Sequence, residues 1–206
     1  MTSPLDEEET DGLAELFNLA VGKAAGSLAR LVNHEITLSV PSVALVSLEM
    51  AAEMLPRDAG DGLVAVHSAF SGGLEGAVAL VLPAPAGREL VALALNDDNV
   101  SDPGDFEQDA LQEIGNVVVN ACLAGLAQAF AFEIATAVPA VSRGERAAVM
   151  ASMAPGARGE VLFLTIYLGV RGRHIEGHLV FVLDATAIAD FRAALRAYIE
   201  RIMAGG

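Results

Sequence analysis

The chain has 206 residues, 53% of them apolar, which is enough for a substantial core and excludes a disordered chain. A formal net charge of −15 leaves no basic stripe to neutralise a phosphate backbone, so nucleic acid is excluded as a partner and an anionic membrane surface is disfavoured. Cys122 is the single cysteine, so no intrachain disulfide can form.

In chain order, a first long helix is predicted to open at Ser3, with Pro4 at the first helical position and Asp6 completing a capping-box-like arrangement. Its apolar periodicity carries it to about Val32. Gly12, Gly22 and Gly26 weaken it, each by about 1 kcal/mol relative to Ala, and glycines kept in a helix often permit close packing. His34–Val40 reads as a short extended stretch before Pro41, followed by a short helix. Val64–Phe70 and Leu74–Leu82 read as a hairpin across Ser71-Gly72-Gly73, and a helix follows. Asn96–Asp105 is rich in turn formers and marks a join. A second long helix starts after Asp105 and runs to about Phe130, and Glu133–Val138 is extended before Pro139. Val161–Val170 and His174–Leu183 read as another hairpin across Arg171-Gly172-Arg173, and Ala185–Met203 as a closing helix.

The second series of elements repeats the first. Asp11, Glu15, Asn18 and Pro41 form the pattern D-x3-E-x2-N-x22-P, and Asp109, Glu113, Asn116 and Pro139 form it again 98 residues later. Leu74–Leu90 also resembles Ile175–Phe191, now offset by 101 residues. The expected architecture is therefore α/β: one domain over residues 1–206, built of pseudo-twofold-related halves of approximately 1–100 and 101–206. The long helices should pack on a shared sheet with one face wet.

Mean hydropathy is high for a soluble protein, at +0.48. Yet no run of about 20 uninterrupted apolar residues exists: Ala77–Leu82 stops at Pro83, and Val117–Phe132 carries Asn120 and Gln128. The opening MTSPLDEEETD is acidic and polar, the opposite of a signal peptide. A cytoplasmic chain without membrane insertion is expected. His34, His67, His174 and His178 are scattered, and strand character around the last two argues against a metal pair.

Positions i, i+4 and i+7 share one helical face, so Asp11, Glu15 and Asn18 project together, as do Asp109, Glu113 and Asn116. Leu13, Leu16, Phe17 and Ala20, and Leu111, Ile114, Val117 and Val118, supply the core-facing sides. A solvated amphipathic face would explain one such trio. Asn is a poor helix former, however, and the trio recurs in register with a distant proline. The set offers no nucleophile, no histidine base and no metal cluster. A carboxamide can both donate and accept, so it can orient a water, and a carboxylate beside it can pair with a cation on a partner. That suits a surface which docks on another protein and completes its site, because in-line attack on a phosphoryl group needs positioning and charge stabilisation more than strong base catalysis.

The doubled pattern resembles the CheC/CheX/FliY family of bacterial chemotaxis phosphatases, and most of all the two-site CheC form. The resemblance spans nearly the whole chain. It implies a phosphatase that hydrolyses the phosphoaspartate of a phosphorylated CheY-type response regulator. It implies that Asn18 and Asn116 align the attacking water and that Glu15 and Glu113 pair with a lysine of the regulator. Asp11 and Asp109 match the opening position, and Pro41 and Pro139 are expected to fix the turn after each long helix. Mg2+ would be held by the regulator, with no cofactor on this chain, and CheD is a further partner the resemblance suggests. The second reading is a non-catalytic module that binds a response regulator or the flagellar switch. Phe17 stands where Gly115 stands in the other copy, and Lys23 lies five residues after Asn18 where an amide or small residue is often found. The second copy is expected to be the stronger, because Gly115 leaves space beside Asn116, whereas the Phe17 ring either narrows a partner's approach to Asn18 or packs inward.

Overall fold

The computed structural model describes residues 5–57, 61–95, 104–153, 160–170 and 172–205. The elements in chain order are α1 (Glu7–Val32), β1 (Ile36–Ser47), α2 (Leu48–Met54), β2 (Leu63–Gly72), β3 (Gly76–Pro83), α3 (Ala84–Ala94), α4 (Gly104–Phe130), β4 (Ile134–Thr136), β5 (Ala140–Gly144), α5 (Arg146–Met153), β6 (Glu160–Val170), β7 (Arg173–Leu183) and α6 (Ala185–Gly205). The sequence places the long helices and both hairpins within a few residues of these limits. The expected helix start at Ser3 and Pro4, the turn residue Arg171 and most of the join at Asn96–Asp105 lie outside the described residues. A start at Ser3 would carry the helix through Leu5 and Asp6, but both precede it, and Asp6 is itself the N-cap of α1. Its side chain accepts from Glu9 N at 2.8 Å, and its own N–H donates to the Glu9 carboxylate at 3.1 Å, so the capping box is Asp6–Glu9.

All seven strands share one sheet in the order β1-β6-β7-β3-β2-β4, with β5 also pairing β2, and every pairing among the described residues is antiparallel. The two hairpins meet at the central pair β3–β7. Outside them, β1 of the first half lies beside β6 of the second, while β4 and β5 of the second lie beside β2 of the first. Strands from the two sequence halves thus lie side by side at both edges as well as at the centre, which gives the shared sheet its continuity.

Both faces of the sheet are covered, which is why the central strands are almost continuously apolar. One face carries α1, α3, α4 and α6 over a core that includes Leu13, Phe17, Leu111, Val118, Leu164, Phe181 and Phe191. The other carries the short α2 and α5, with Ala51, Leu55, Val149 and Met153 packed on Val161, Phe163, Val180 and Val182. The motif helices touch each other where Gly125 meets Ala20; a Cβ on Gly125 would lie 2.8 Å from the Ala20 methyl. Of the three glycines in α1, only Gly12 is closely approached, by Ile199 of α6. Gly22 has open space, and the nearest atom at Gly26 is the Arg30 guanidinium at 4.0 Å. The N-terminal end of α1 is tied to α6 by Glu9, which is 2% exposed and pairs with Arg196 at 3.0 Å and Arg192 at 3.7 Å. Glu107–Phe130 is long and apolar enough to cross a membrane by length and composition; here it packs on β2, β3, α1, α3 and α6.

Candidate functional site

The motif residues occupy the outer faces of α1 and α4. Asp11, Glu15 and Asn18 are exposed, as are Asp109 and Glu113, while Asn116 is half-buried. Behind them Leu13, Leu16, Phe17 and Ala20, and Leu111, Ile114 and Val118, are buried; Val117 is half-buried. No ion pair among the described residues engages Glu15 or Glu113, so both carboxylates remain available to a partner's cation.

The proline at the end of each pattern does not sit in a turn after the long helix, as expected for Pro41 and Pro139. The α1 turn is closed instead by Asn33 in the left-handed region, φ 52°. Pro41 lies within β1, which continues to Ser47 through a bulge. Ser39 faces Tyr167 and Ser42 faces Thr165, so β1 advances three residues while β6 advances two. A strand can hold proline at such a point because the ladder is already interrupted. The other edge of the sheet repeats the device. Thr136 faces Phe70 and Ala140 faces His67, four steps against three, with Val138 and Pro139 in the gap between β4 and β5.

In the first copy the motif asparagine fills the gap in the ladder. Asn18 Oδ1 accepts from Val40 N at 2.8 Å, and Asn18 Nδ2 donates to Val40 O at 3.2 Å and to Ala14 O at 2.8 Å. Val40 is 3% exposed, so its backbone groups need these partners. In this copy the spacing brings Asn18 onto the residue immediately before Pro41.

The second copy is wired differently. Gln112 Nε2 donates to Pro139 O at 2.6 Å, Ser68 Oγ donates to Ala137 O at 2.8 Å, and Ala137 N donates to Ala69 O at 2.9 Å. The loop is held without Asn116. Val138, the counterpart of Val40, is 87% exposed. Asn116 Oδ1 accepts from Asn120 Nδ2 at 2.7 Å, and no hydrogen bond among the described residues uses Asn116 Nδ2. Sequence reasoning did not single out Gln112, Asn120 or Val138. For Gln112 and Asn120 the signal was present in the register of the two copies, where they stand opposite Ala14 and Gly22; Val138 stands opposite an identical Val40 and carries none.

The expected contrast between Phe17 and Gly115 is overturned. Both positions face the core. Phe17 is fully buried with its ring 5.6 Å from that of Phe181, and a Cβ on Gly115 would lie 2.4 Å from the Val66 Cβ. Gly115 therefore lets α4 approach β2 and opens no space beside Asn116, and Phe17 does not crowd Asn18. Lys23 donates to Gln128 Oε1 at 3.5 Å across the two helices. A groove of about 680 Å³ lies between α1 and α4, lined by residues that include Leu19, Lys23, Val117, Ala121 and Gln128. Burial pushes the Cys122 thiol up to about 12, so it is no nucleophile. Among the described residues, no three His, Cys, Asp or Glu side chains cluster to hold a metal.

Comparison with known proteins agrees with the pattern. No model of a known protein family matches the chain. The CheY-P phosphatase CheC of Bacillus subtilis is 28% identical over 145 residues, covering 67% of this chain and 68% of CheC. The flagellar motor switch phosphatase FliY of the same organism is 24% identical over 140 residues, covering 66% of this chain. The matches support the CheC/CheX/FliY family. The crystal structure of Thermotoga maritima FliY shares the fold, with a TM-score of 0.76 over 94% of this chain and 98% of that one at 19% identity. The aligned region is 36% of the length of B. subtilis FliY, so this chain spans about a third of that protein.

Proposed function

We propose that this chain hydrolyses the phosphoaspartate of a phosphorylated CheY-type response regulator, and that Asn116 is the residue that orients the attacking water. The observation that carries the reading is the contrast between the copies. Asn116 presents an amide nitrogen with no hydrogen bond, on an accessible helix face one turn from the unpaired Glu113. The relatives named as phosphatases supply the reaction class.

An aspartyl phosphate is a mixed anhydride and already activated. A water attacks phosphorus in line, the bond between phosphorus and the carboxylate oxygen breaks, and a carboxylate and inorganic phosphate leave, with the proton of water passing to phosphate or solvent. The amide needs only to hold water on the attack line, a positional contribution. Glu113 would pair with a lysine of the regulator, which fixes the docking geometry and raises the association rate. Mg2+ belongs to the regulator's own site in this reading, and Asp109 lies one turn before Glu113 as a further exposed carboxylate. Glu15 and Asn18 form a second docking face whose amide is committed to β1. The reading implies a cytoplasmic chain; an association with CheD rests on the resemblance alone.

The test is the decay of the phosphorylated cognate regulator in Mg2+, with and without this protein. Accelerated release of inorganic phosphate is expected. Unchanged decay at saturating protein, with binding confirmed, would leave only the non-catalytic binding module.

A further inference from the structure

We propose that Gln112 and Asn120 are positioning residues that turn the motif asparagine of the second copy from a strand clamp into a free, aimed amide; the proposal rests on the phosphatase reading above. The two copies superimpose in sequence at an offset of 98, which sets Ala14 against Gln112 and Gly22 against Asn120. These two differences lie directly before Glu113 and one turn after Asn116.

An asparagine side chain has two N–H donors and two acceptor lone pairs. Asn18 spends both donors and one lone pair on the Ala14 and Val40 backbone. To bind a water and a partner it must release a buried strand residue. Ala14 cannot relieve it, because a methyl group offers no hydrogen bond. At the other edge Gln112 reaches the bulge itself, through Pro139 O at 2.6 Å, and Ser68, 4% exposed, holds Ala137 O from the opposite side. Asn116 is thereby released. A released amide can still turn over, exchanging oxygen for nitrogen. Asn120 engages that amide, donating to Asn116 Oδ1 at 2.7 Å, which ties its oxygen side and leaves Nδ2 and the second lone pair of Oδ1 for water. Gly22 has no side chain to do the same for Asn18.

The experiment uses the full chain and phosphorylated cognate regulator, with folding checked by circular dichroism. Asn120→Ala is expected to lower kcat about tenfold to a hundredfold with KM unchanged, the size of effect that misplacing a positioned group produces. Gln112→Ala is expected to lower kcat likewise, and its side-chain amide signature should change: Asn116 Nδ2 protons exchange fast in the wild type and slow once Asn116 takes over the bulge. Gln112→Glu, which keeps the shape and removes the donor, should behave as Gln112→Ala. In an Asn116→Ala background, Ala14→Gln with Gly22→Asn should restore hydrolysis that Asn18→Ala then abolishes. Wild-type kcat in Asn120→Ala and Gln112→Ala, alongside lost hydrolysis in Asn116→Ala, would overturn this proposal while leaving the phosphatase reading intact. Full hydrolysis in Asn116→Ala would instead overturn Asn116 as the water-orienting residue, unchanged Asn116 amide exchange in Gln112→Ala would overturn the release of the clamp, and only unaccelerated decay with the wild type would overturn the phosphatase reading.

Discussion

Replacing Asn18 by Ala should destabilise the protein although the residue is exposed on a helix, where Ala is the better helix former. The substitution leaves Val40 N–H and C=O without their partners at 2.8 and 3.2 Å, on a residue 3% exposed. Each lost bond costs about 1 kcal/mol, more if the group stays dry. Improved helix propensity returns at most about 0.7 kcal/mol. The net loss is about 1–2 kcal/mol, which for a domain of this size lowers Tm by about 2–8 °C. Asn116→Ala is the control. It removes one side-chain bond to Asn120 in a half-buried setting and gains the same propensity, so its Tm should stay within about 2 °C of wild type. Thermal and urea unfolding of both variants measure the difference. Equal melting temperatures for the two would refute the argument that Asn18 is a strand clamp.

Two further predictions concern the core. Burial pushes the His178 imidazole down to about 4, beneath the 5.0 Å contact of its ring with Phe163. The unfolded chain therefore binds the proton more readily, so the stability held above pH 6.5 is lost as pH falls from there towards about 4, by about 3 kcal/mol in all. Urea midpoints across that range should fall in the wild type and flatten in His178→Leu; parallel slopes would contradict the assignment. Gly115→Ala should lose about 1–2 kcal/mol, since overpacking against the Val66 Cβ, 2.4 Å from the new carbon, exceeds the gain in helix propensity, whereas Gly22→Ala should gain up to about 1 kcal/mol in open space. Equal shifts in unfolding midpoint for the two glycine variants would refute that distinction.

The elements were legible because their patterns are unambiguous. Phe17, Leu13 and Leu16 repeat at helical spacing in α1, and β6 and β7 are apolar runs bounded by turn residues. The doubled D-E-N-P pattern placed the exposed helix faces correctly for the same reason. The role of proline was misread because a bulge leaves no local mark: Pro41 follows an extended stretch whether the strand ends or merely slips by one residue. The inward direction of Gly115 was not legible because a glycine carries no side chain to mark the packed face, whereas Phe17 already stands among the core-facing residues of α1. The roles of Gln112 and Asn120 are not legible in the sequence, where Asn120 reads only as an interruption of an apolar run, because a polar residue at a helix surface has no signature of its own. Their significance depends on where a loop distant in sequence comes to rest, which the sheet register decides.

The most direct test of the account measures phosphate release from the phosphorylated regulator by the wild type, Asn18→Ala, Asn116→Ala and the double variant, each confirmed as folded and able to bind. The account predicts that Asn116→Ala loses most of the acceleration with KM little changed, that Asn18→Ala keeps most of it per folded molecule, and that the double variant has none. Full acceleration in the double variant, or loss in Asn18→Ala with retention in Asn116→Ala, would contradict it.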